Sequence, residues 1–190
     1  GGMGAITPLG EYTDKLEEEV MGRIFQPLLK QMQSIGAPFY GLLYAGLMMT
    51  ETGVKVIEFN VRFGDPETQP LLSRLKNDLF TELYAVANGE IAPEPLQFAD
   101  DHALCVVLTA PGYPGAYEKG LPIPAVDSMD GVKLFHAGTK TEEGGVVSAG
   151  GRVLNVVAHG ASREEARQRA YGFITRSSFT PFSMRTDIGA

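Results

Sequence analysis

The fold and the chemistry of this chain are decided by one stretch, VKVIEFNVRFGDPE, at residues 54–67. Its first half carries the β-branched and aromatic residues of a strand, in which alternate side chains share a face. The even-numbered residues of 58–62 are polar, and the odd-numbered residues of 57–61 are apolar. The stretch therefore predicts a strand with one core face and one face that carries a site.

The polar face has the composition of a cation and phosphate site. The Glu58 carboxylate and the Asn60 amide leave the backbone about 7 Å apart and can converge on a hard cation such as Mg²⁺. Arg62 adds a fixed positive charge with forked donors that suit a phosphate. These residues fit a phosphoryl-transfer centre, where catalysis is mostly positioning and charge neutralisation. A solvated ion network on the strand surface is the other interpretation of the same residues.

The end of the stretch predicts a helix that begins at Asp65, Pro66 and Glu67, with Asp as the N-cap and Pro in the first turn. Such a helix start presents free amides and a positive dipole end to an anion. The helix ends at Gly89. Its predicted buried stripe consists of Leu71, Leu72, Leu75, Leu79 and Leu83.

Upstream of this stretch, the residues predict a helix and a hairpin. The helix covers 13–35, with Thr13 as its N-cap and a kink at Pro27, which lacks a backbone amide. Two β-rich runs, 39–49 and 54–63, are joined by a short turn and predict a hairpin.

Downstream, a polar, proline-marked stretch at 89–101 predicts a domain boundary. We expect one domain over 1–98 and a second, smaller α+β domain over 99–190. The second domain has a helix that opens with a Ser-x-x-Glu capping box at Ser162 and buries Ala166, Ala170, Phe173 and Ile174. Its predicted strands are 103–109, 132–136 and 152–158.

The composition excludes several classes of function. The 190 residues include 16 basic and 23 acidic side chains, a formal charge of −7, whereas a nucleic-acid binder needs a basic face. No apolar run approaches the roughly 20 residues of a membrane span, and no secretory signal opens the chain. Cys105 is the single cysteine, which excludes an intramolecular disulfide and fits a reducing cytoplasm.

Several other polar residues have ordinary structural interpretations. Cys105 lies in an apolar strand pattern and is expected to be a core thiol. Lys140 and Arg152 are expected to be solvated, with a contact to phosphate as the alternative. The histidines lack metal-ligand spacing, so no zinc site is expected at His102, His136 or His159.

The run at 58–70 resembles the signature of the glycinamide ribonucleotide synthetase (phosphoribosylamine–glycine ligase) family, which are ATP-grasp enzymes of purine biosynthesis. The resemblance implies an α+β fold: the C-terminal lobe of an ATP-grasp domain, with an antiparallel sheet and helices, followed by a small α+β C-terminal domain. Further segments resemble the same family in the same order, at 1–5, 40–48, 112–115, 135–139, 150–154 and 185–189.

The resemblance implies a reaction and a set of site residues. ATP, glycine and 5-phosphoribosylamine would give ADP, phosphate and glycinamide ribonucleotide through a glycyl phosphate. Glu58 and Asn60 are implied to hold Mg²⁺, or Mn²⁺ in its place, and with it ATP. Arg62 is implied to bind ATP as well and to act catalytically, against the transferring phosphoryl group or the acyl phosphate.

Two further groups of residues are implied to bind substrate. Asp65 and Glu67 are expected to hold an amine or ribose hydroxyls, with capping of the helix as the alternative. The glycine-rich start at Gly2, Met3 and Gly4 is expected to let the backbone approach an anionic substrate closely.

The resemblance also implies that this chain is a fragment. The family enzymes are more than twice as long, and nothing here resembles their N-terminal domain or the lobe with most ATP contacts. We therefore expect the missing N-terminal half to be needed, in cis or in trans. Two interpretations of the glycine-rich start stay open: residues 1–2 were added before Met3, or the chain is a piece of a longer protein.

Two alternatives to this function also stay open. The first is another ATP-grasp carboxylate–amine ligase, which would share the Glu-x-Asn pair but use a different acceptor. The second is a catalytically incomplete fragment or subunit that pairs with a partner chain. An apolar surface left exposed by the missing lobe predicts self-association.

Overall fold

The computed structural model describes residues 2–90 and 94–190 of the chain, which form two compact units. The first unit contains the N-terminal residues up to Thr7, then Asp65–Arg74 and Ala99–Ala190. The second contains Pro8–Gly64 and Leu75–Phe98. The chain passes from the second unit to the first between residues 98 and 99, where the domain boundary is predicted. Within the predicted boundary stretch at 89–101, residues 91–93 lie outside the described part. The division into sequence domains at that boundary stays a prediction.

The structure combines helices with antiparallel strands, as expected for the predicted α+β class. In chain order they are β1 (Gly4–Thr7), α1 (Asp14–Val20), a π-helical turn (Met21–Phe25), α2 (Gln26–Ser34), β2 (Tyr44–Thr50), β3 (Gly53–Asn60), α3 (Thr68–Arg74), α4 (Leu79–Ala87), β4 (His102–Thr109), β5 (Val132–His136), β6 (Thr139–Glu142), β7 (Gly145–Ser148), β8 (Arg152–Gly160) and α5 (Arg163–Ser177).

The first unit is built on a four-stranded antiparallel sheet in the order β1-β4-β8-β5. The predicted strands at 103–109, 132–136 and 152–158 are all present, with small differences in their ends. Strand β1 is not predicted from the sequence, because four residues with two small side chains carry too little β pattern. The hairpin of β6 and β7 is not predicted either.

One face of this sheet packs against α5 and forms the main core of the unit. Ser162 caps α5 by accepting a hydrogen bond from the Glu165 amide at 3.2 Å, as the capping box predicts. The helix residues buried in this core are the four predicted ones: Ala166, Ala170, Phe173 and Ile174.

The other face of the sheet carries a smaller cluster of Cys105, Val107 and Val157, against which Phe135 packs. The short helix α3 packs near β1, β4 and β8. Arg74 at the end of α3 is buried, and its guanidinium donates to Thr7 Oγ1 at 2.8 Å and to the Ala99 carbonyl at 2.6 Å. Packing and these bonds fix α3 within the unit.

The second unit contains the predicted N-terminal helix, interrupted near its middle. Thr13 caps α1 by accepting from the Leu16 amide at 3.3 Å. Just before Pro27 the chain forms a π-helical turn, in which the Gln26 amide bonds to the Met21 carbonyl. This turn accommodates the missing amide of Pro27 without ending the helical path.

The predicted hairpin is present as β2 and β3, joined at Gly53 with a positive φ of 99°. The predicted core face of β3 is wrong for this unit, however. Ile57 is 63% exposed, Phe59 41% and Val61, which lies beyond the strand, 71%. A two-stranded hairpin has no second layer of its own to bury such residues.

The predicted helix from Pro66 to Gly89 is also wrong as a single element. The structure has two helices, α3 and α4, because Leu75 bridges Phe98 and the Lys76 amide bonds the Gln97 carbonyl. This extended pairing removes the residues between from any helix. Asp78 then starts α4 as a new N-cap, accepting from the Thr81 amide at 2.8 Å.

Within residues 2–90 and 94–190, no helix combines the length and the apolar character needed to cross a membrane.

Candidate functional site

Glu58 and Asn60 lie side by side near the end of β3, on one face of the strand, as the alternation predicts. The Asn60 side-chain amide donates to Glu58 Oε1 at 3.0 Å. Glu58 is exposed and Asn60 is half-buried. A carboxylate and an amide oxygen are thus available together at a surface that a ligand can reach.

The opposite strand leaves room for this pair. Gly46 of β2 is the partner of Glu58 in the register, and a Cβ at position 46 would lie 3.2 Å from Glu58 Cγ. Directly after this pair the register shifts, because Leu47 is paired with Val56 and Ile57 is the extra residue of a β-bulge. A bulge bends its strand and changes the direction of the side chains, and this one adjoins Glu58 near the end of β3.

Arg62 does not share the strand with Glu58 and Asn60. Strand β3 ends at Asn60, and Arg62 lies in the bend that follows. Its guanidinium donates to the Phe63 carbonyl at 2.8 Å, and the side chain is exposed. The expectation that all three residues extend from one strand face is therefore wrong for Arg62.

The chemistry of the Glu58–Asn60 pair fits a divalent cation. Hard cations prefer oxygen ligands, and Mg²⁺ typically uses one or two protein oxygens together with phosphate oxygens and water. The described residues contain no group of three or more His, Cys, Asp or Glu side chains placed to hold a metal. A site on this pair would therefore depend on ligands from outside these residues, such as a nucleotide.

Asp65 is held by Arg152, in the first unit. The Arg152 guanidinium forms an ion pair with Asp65 Oδ2 at 2.7 Å and donates to the Asp65 main-chain carbonyl, also at 2.7 Å. Asp65 Oδ1 accepts from the Gln69 side chain at 3.3 Å. Asp65 precedes α3 by three residues, so it is not the N-cap that the sequence predicted. Glu67, also predicted to bind substrate, is half-buried directly before α3.

The glycine-rich start has close internal contacts. Arg152 also donates to the Gly2 carbonyl at 3.2 Å, and a Cβ at position 2 would lie 2.6 Å from Arg152 Nη1. The Met3 carbonyl accepts from the Val107 amide at 3.1 Å. A Cβ on Gly4 would meet Ile188 and the Cys105 carbonyl at under 3 Å. Both glycines thus have a packing reason as well as the predicted substrate role.

The charges of this region affect the pKa of Cys105. The pKa of its thiol is raised to about 12, chiefly by burial and to a smaller extent by the nearby negative charges of Asp65 and Glu67, while Arg152 opposes the shift. The predicted core thiol is confirmed. Cys105 therefore lies within the field of the same carboxylates that were predicted to bind substrate.

Three of the other polar residues lie next to a side-chain partner. His159 Nδ1 lies 2.6 Å from Asp101 Oδ2, His136 Nδ1 lies 3.2 Å from Thr139 Oγ1, and Lys140 pairs with Glu142 at 2.6 Å. The expectation that Arg152 is solvated is wrong, because its guanidinium bonds to Asp65 and Gly2, which are 87 and 150 positions away in the sequence. No local sequence pattern reveals such a contact. The pattern predicts only that Arg152 begins a strand.

Comparison with protein families identifies the chain in two parts. The model described as "Phosphoribosylglycinamide synthetase, ATP-grasp (A) domain" matches residues 1–68. The model described as "Phosphoribosylglycinamide synthetase, C domain" matches residues 103–190. The chain belongs to the phosphoribosylglycinamide synthetase family. The predicted family resemblance is confirmed.

Relatives in the family align along the whole chain. A phosphoribosylamine–glycine ligase of Mesorhizobium japonicum is 47% identical over 191 residues, covering 100% of this chain and 45% of the relative. One of Streptomyces coelicolor is 48% identical over 196 residues, covering 100% of this chain and 47% of the relative. The chain spans a little under half the length of these relatives.

Solved structures agree with the family and with the predicted fold class. The crystal structure of phosphoribosylamine–glycine ligase from Thermotoga maritima matches with a TM-score of 0.85 and 31% identity, over 98% of this chain and 46% of that one. A biotin carboxylase domain of a thermophilic 2-oxoglutarate carboxylase matches with a TM-score of 0.66 at 17% identity, over 95% and 40%. The second match shows the fold alone.

Proposed function

We propose that this chain is the C-terminal half of a phosphoribosylamine–glycine ligase, and that with the rest of the enzyme it makes glycinamide ribonucleotide. A glycine carboxylate oxygen attacks the γ-phosphorus of ATP and ADP leaves, giving a glycyl phosphate. The amine of 5-phosphoribosylamine then attacks the acyl carbon, phosphate leaves, and the amine loses a proton. The adjacent Glu58 and Asn60 side chains, in a chain that aligns with such ligases over its whole length, carry this proposal.

Glu58 and Asn60 are the proposed metal ligands and the contact with ATP. A divalent cation on them would neutralise charge on the phosphates during transfer. We propose Mg²⁺ as the ion, with Mn²⁺ as a substitute, because both accept oxygen ligands of this kind. Asn60 is half-buried and supplies a neutral amide oxygen, whereas the exposed Glu58 supplies the negative charge.

Arg62 is the proposed catalytic cation. Its place in the bend after β3 leaves the guanidinium exposed, with one donor used by the Phe63 carbonyl. The remaining donors of a guanidinium suit phosphate oxygens. We propose that Arg62 contacts the transferring phosphoryl group or the acyl phosphate.

The proposed substrate contacts lie in the first unit. Asp65 and Glu67 would hold the amine or ribose hydroxyls of phosphoribosylamine. Gly2, Met3 and Gly4 would bring main-chain groups close to an anionic part of the substrate. We further propose that 1–98 is the end of the ATP-grasp domain and that 99–190 is the C-terminal domain.

The proposed partner is the half of the enzyme that this chain does not match, in cis or in trans. Exposed apolar residues of the β2–β3 hairpin, including Ile57 and Phe59, support a missing partner surface. We propose no nucleic-acid or membrane partner, in line with the net charge of −7. The cytoplasm is the proposed location, because the single cysteine fits a reducing compartment.

The test is release of ADP from Mg-ATP with glycine and freshly generated phosphoribosylamine, each omitted in turn. This chain is assayed alone and after mixing with the unmatched part of the Mesorhizobium japonicum relative. We expect release only in the mixture and only with both co-substrates. Glu58→Gln should abolish release, since it removes the one carboxylate of the pair.

A matched control is Glu51→Gln, which removes a carboxylate in the hairpin turn without touching the pair. It should leave release unchanged. Release that depends on ATP but on a different amine acceptor would support another ATP-grasp ligase. Absence of release in a mixture that forms a stable complex would contradict the proposed function.

A further inference from the structure

Arg152 joins two segments that the proposed function assigns to substrate binding, the glycine-rich start and the residues before α3. One nitrogen of its guanidinium donates to the Gly2 carbonyl at 3.2 Å and to the Asp65 carbonyl at 2.7 Å. The other nitrogen pairs with the Asp65 carboxylate at 2.7 Å. One side chain thus fixes the glycine-rich start and the residue that precedes α3.

The glycine at position 2 is required for this arrangement. Gly2 has a positive φ of 74°, and a Cβ there would lie 2.6 Å from Arg152 Nη1 and 3.5 Å from the Asp65 carbonyl oxygen. Any other residue would be strained in its backbone and would displace the guanidinium. The glycine at position 2 therefore leaves the space that the Arg152 guanidinium occupies.

Arg152 itself stands on a rigid support. It is the first residue of β8, a central strand of the four-stranded sheet, and its neighbour Val153 is fully buried. Its carbonyl accepts from the Gly138 amide at 2.9 Å, where the backbones lie too close for a Cβ at position 138. The backbone that carries the guanidinium is therefore firmly held within the sheet.

The same contacts are a poor source of stability. The Arg152 side chain is 29% exposed and the Asp65 side chain 44% exposed, so solvent weakens the ion pair. What a planar guanidinium provides instead is geometry, because its forked donors fix the direction of each acceptor.

We propose that Arg152 is a positioning residue that holds Asp65 and the main chain at Gly2 in one preformed arrangement for substrate. The inference rests on the proposed function, which assigns those two segments to substrate. Arg152 acts through Asp65 and Gly2 and does not itself touch the reacting atoms. Preorganisation of this kind governs affinity and rate because small displacements of a binding group are costly.

The test compares Arg152→Met and Arg152→Lys with the unaltered chain by hydrogen–deuterium exchange. We expect Arg152→Met to raise exchange about tenfold in peptides covering 2–7 and 65–70, with no change along the buried strand β4. Arg152→Lys should restore part of the protection, because an ammonium keeps the charge but loses the fork. Binding of glycinamide ribonucleotide, measured by calorimetry, should weaken about tenfold in Arg152→Met.

The matched control is Arg169→Met. Arg169 also donates to a main-chain carbonyl of β8, that of His159 at 3.1 Å, at the opposite end of the strand. It should leave exchange at 2–7 and 65–70 unchanged.

Unchanged exchange in Arg152→Met would overturn the inference, as would an equal rise throughout the first unit, which marks a merely structural role. A local rise without weaker binding would also overturn it. If the unaltered chain binds no glycinamide ribonucleotide even when mixed with the unmatched part of the Mesorhizobium japonicum relative, the proposed function fails, and exchange alone then decides whether Arg152 positions the two segments.

Discussion

Gly46 lies directly across the hairpin from Glu58, and a Cβ added to Gly46 would approach Glu58 Cγ to 3.2 Å. At that distance the neighbour has to move by a few tenths of an ångström. Glu58 also accepts the hydrogen bond from Asn60. The absence of a side chain at position 46 therefore helps to set how the proposed metal ligands meet.

Gly46→Ala should weaken divalent-cation binding by about tenfold while leaving the hairpin folded, because supporting residues of a metal site have effects of this size. Mn²⁺ binding followed by electron paramagnetic resonance gives the affinity. Ala45→Ser is the control, since Ala45 is paired with Phe59, on the opposite face of the hairpin from Glu58 and Asn60. Equal Mn²⁺ affinity in Gly46→Ala and the unaltered chain would argue against a site at Glu58.

Local patterns predicted the Glu58–Asn60 pair because a period of two holds wherever a strand is regular. The same pattern failed at Arg62, since it does not reveal where the strand ends. It failed again at the leucine stripe, where pairing of Leu75 with Phe98 overrides helix periodicity. Arg152 was missed for a related reason: its partners are distant in sequence, and only the folded sheet brings them together.

The exposed apolar residues of the hairpin should make the isolated chain self-associate. Ile57 is 63% exposed and Met49 is 61% exposed, and hairpin surfaces of this kind are normally covered. At about 0.15 M salt, screening limits the repulsion from the net charge of −7. Sedimentation velocity should show a concentration-dependent increase in mass, which Ile57→Lys reduces.

Gln33→Lys is the control for that experiment, because it adds the same charge at an exposed position of α2. It should leave the association unchanged. A chain that is monomeric at every concentration tested would contradict the prediction.

Cys105 should resist thiol reagents in the folded chain and react only on unfolding. Its pKa is raised to about 12, chiefly by burial, whereas an unfolded cysteine ionises near about 8.5. The folded state therefore keeps a proton that the unfolded state loses as the pH rises above about 9. The free energy of unfolding should fall by up to about 1.4 kcal/mol per pH unit until the pH nears 12.

The comparison for this prediction is Cys105→Ala, which lacks the titrating thiol. Urea unfolding of both proteins at pH 7 and pH 10 separates the contribution of Cys105 from that of tyrosines and lysines. The difference between the two proteins should change with pH in the direction given. A pH-independent difference would mean that the thiol ionises equally in both states.

Arg74→Met should destabilise the first unit by about 2 kcal/mol or more. The guanidinium is buried, donates to Thr7 and Ala99, and lies 3.6 Å from the Asp101 carboxylate. Its loss leaves buried acceptors without those donors and weakens the charge balance at Asp101, which is costly inside a protein. Exposure of Cys105 to a thiol reagent across a urea series reports the unfolding of this unit directly, because Cys105 lies in its sheet.

Arg185→Met tests whether any arginine of the unit has such an effect. Arg185 pairs with Asp187 at the exposed C-terminal segment, where an ion pair contributes little because water screens it. The urea midpoint should therefore stay where it is in the unaltered chain. Equal midpoints for Arg74→Met and Arg185→Met would mean that the contacts at Thr7 and Ala99 do not anchor α3, and that packing alone holds this helix on the sheet.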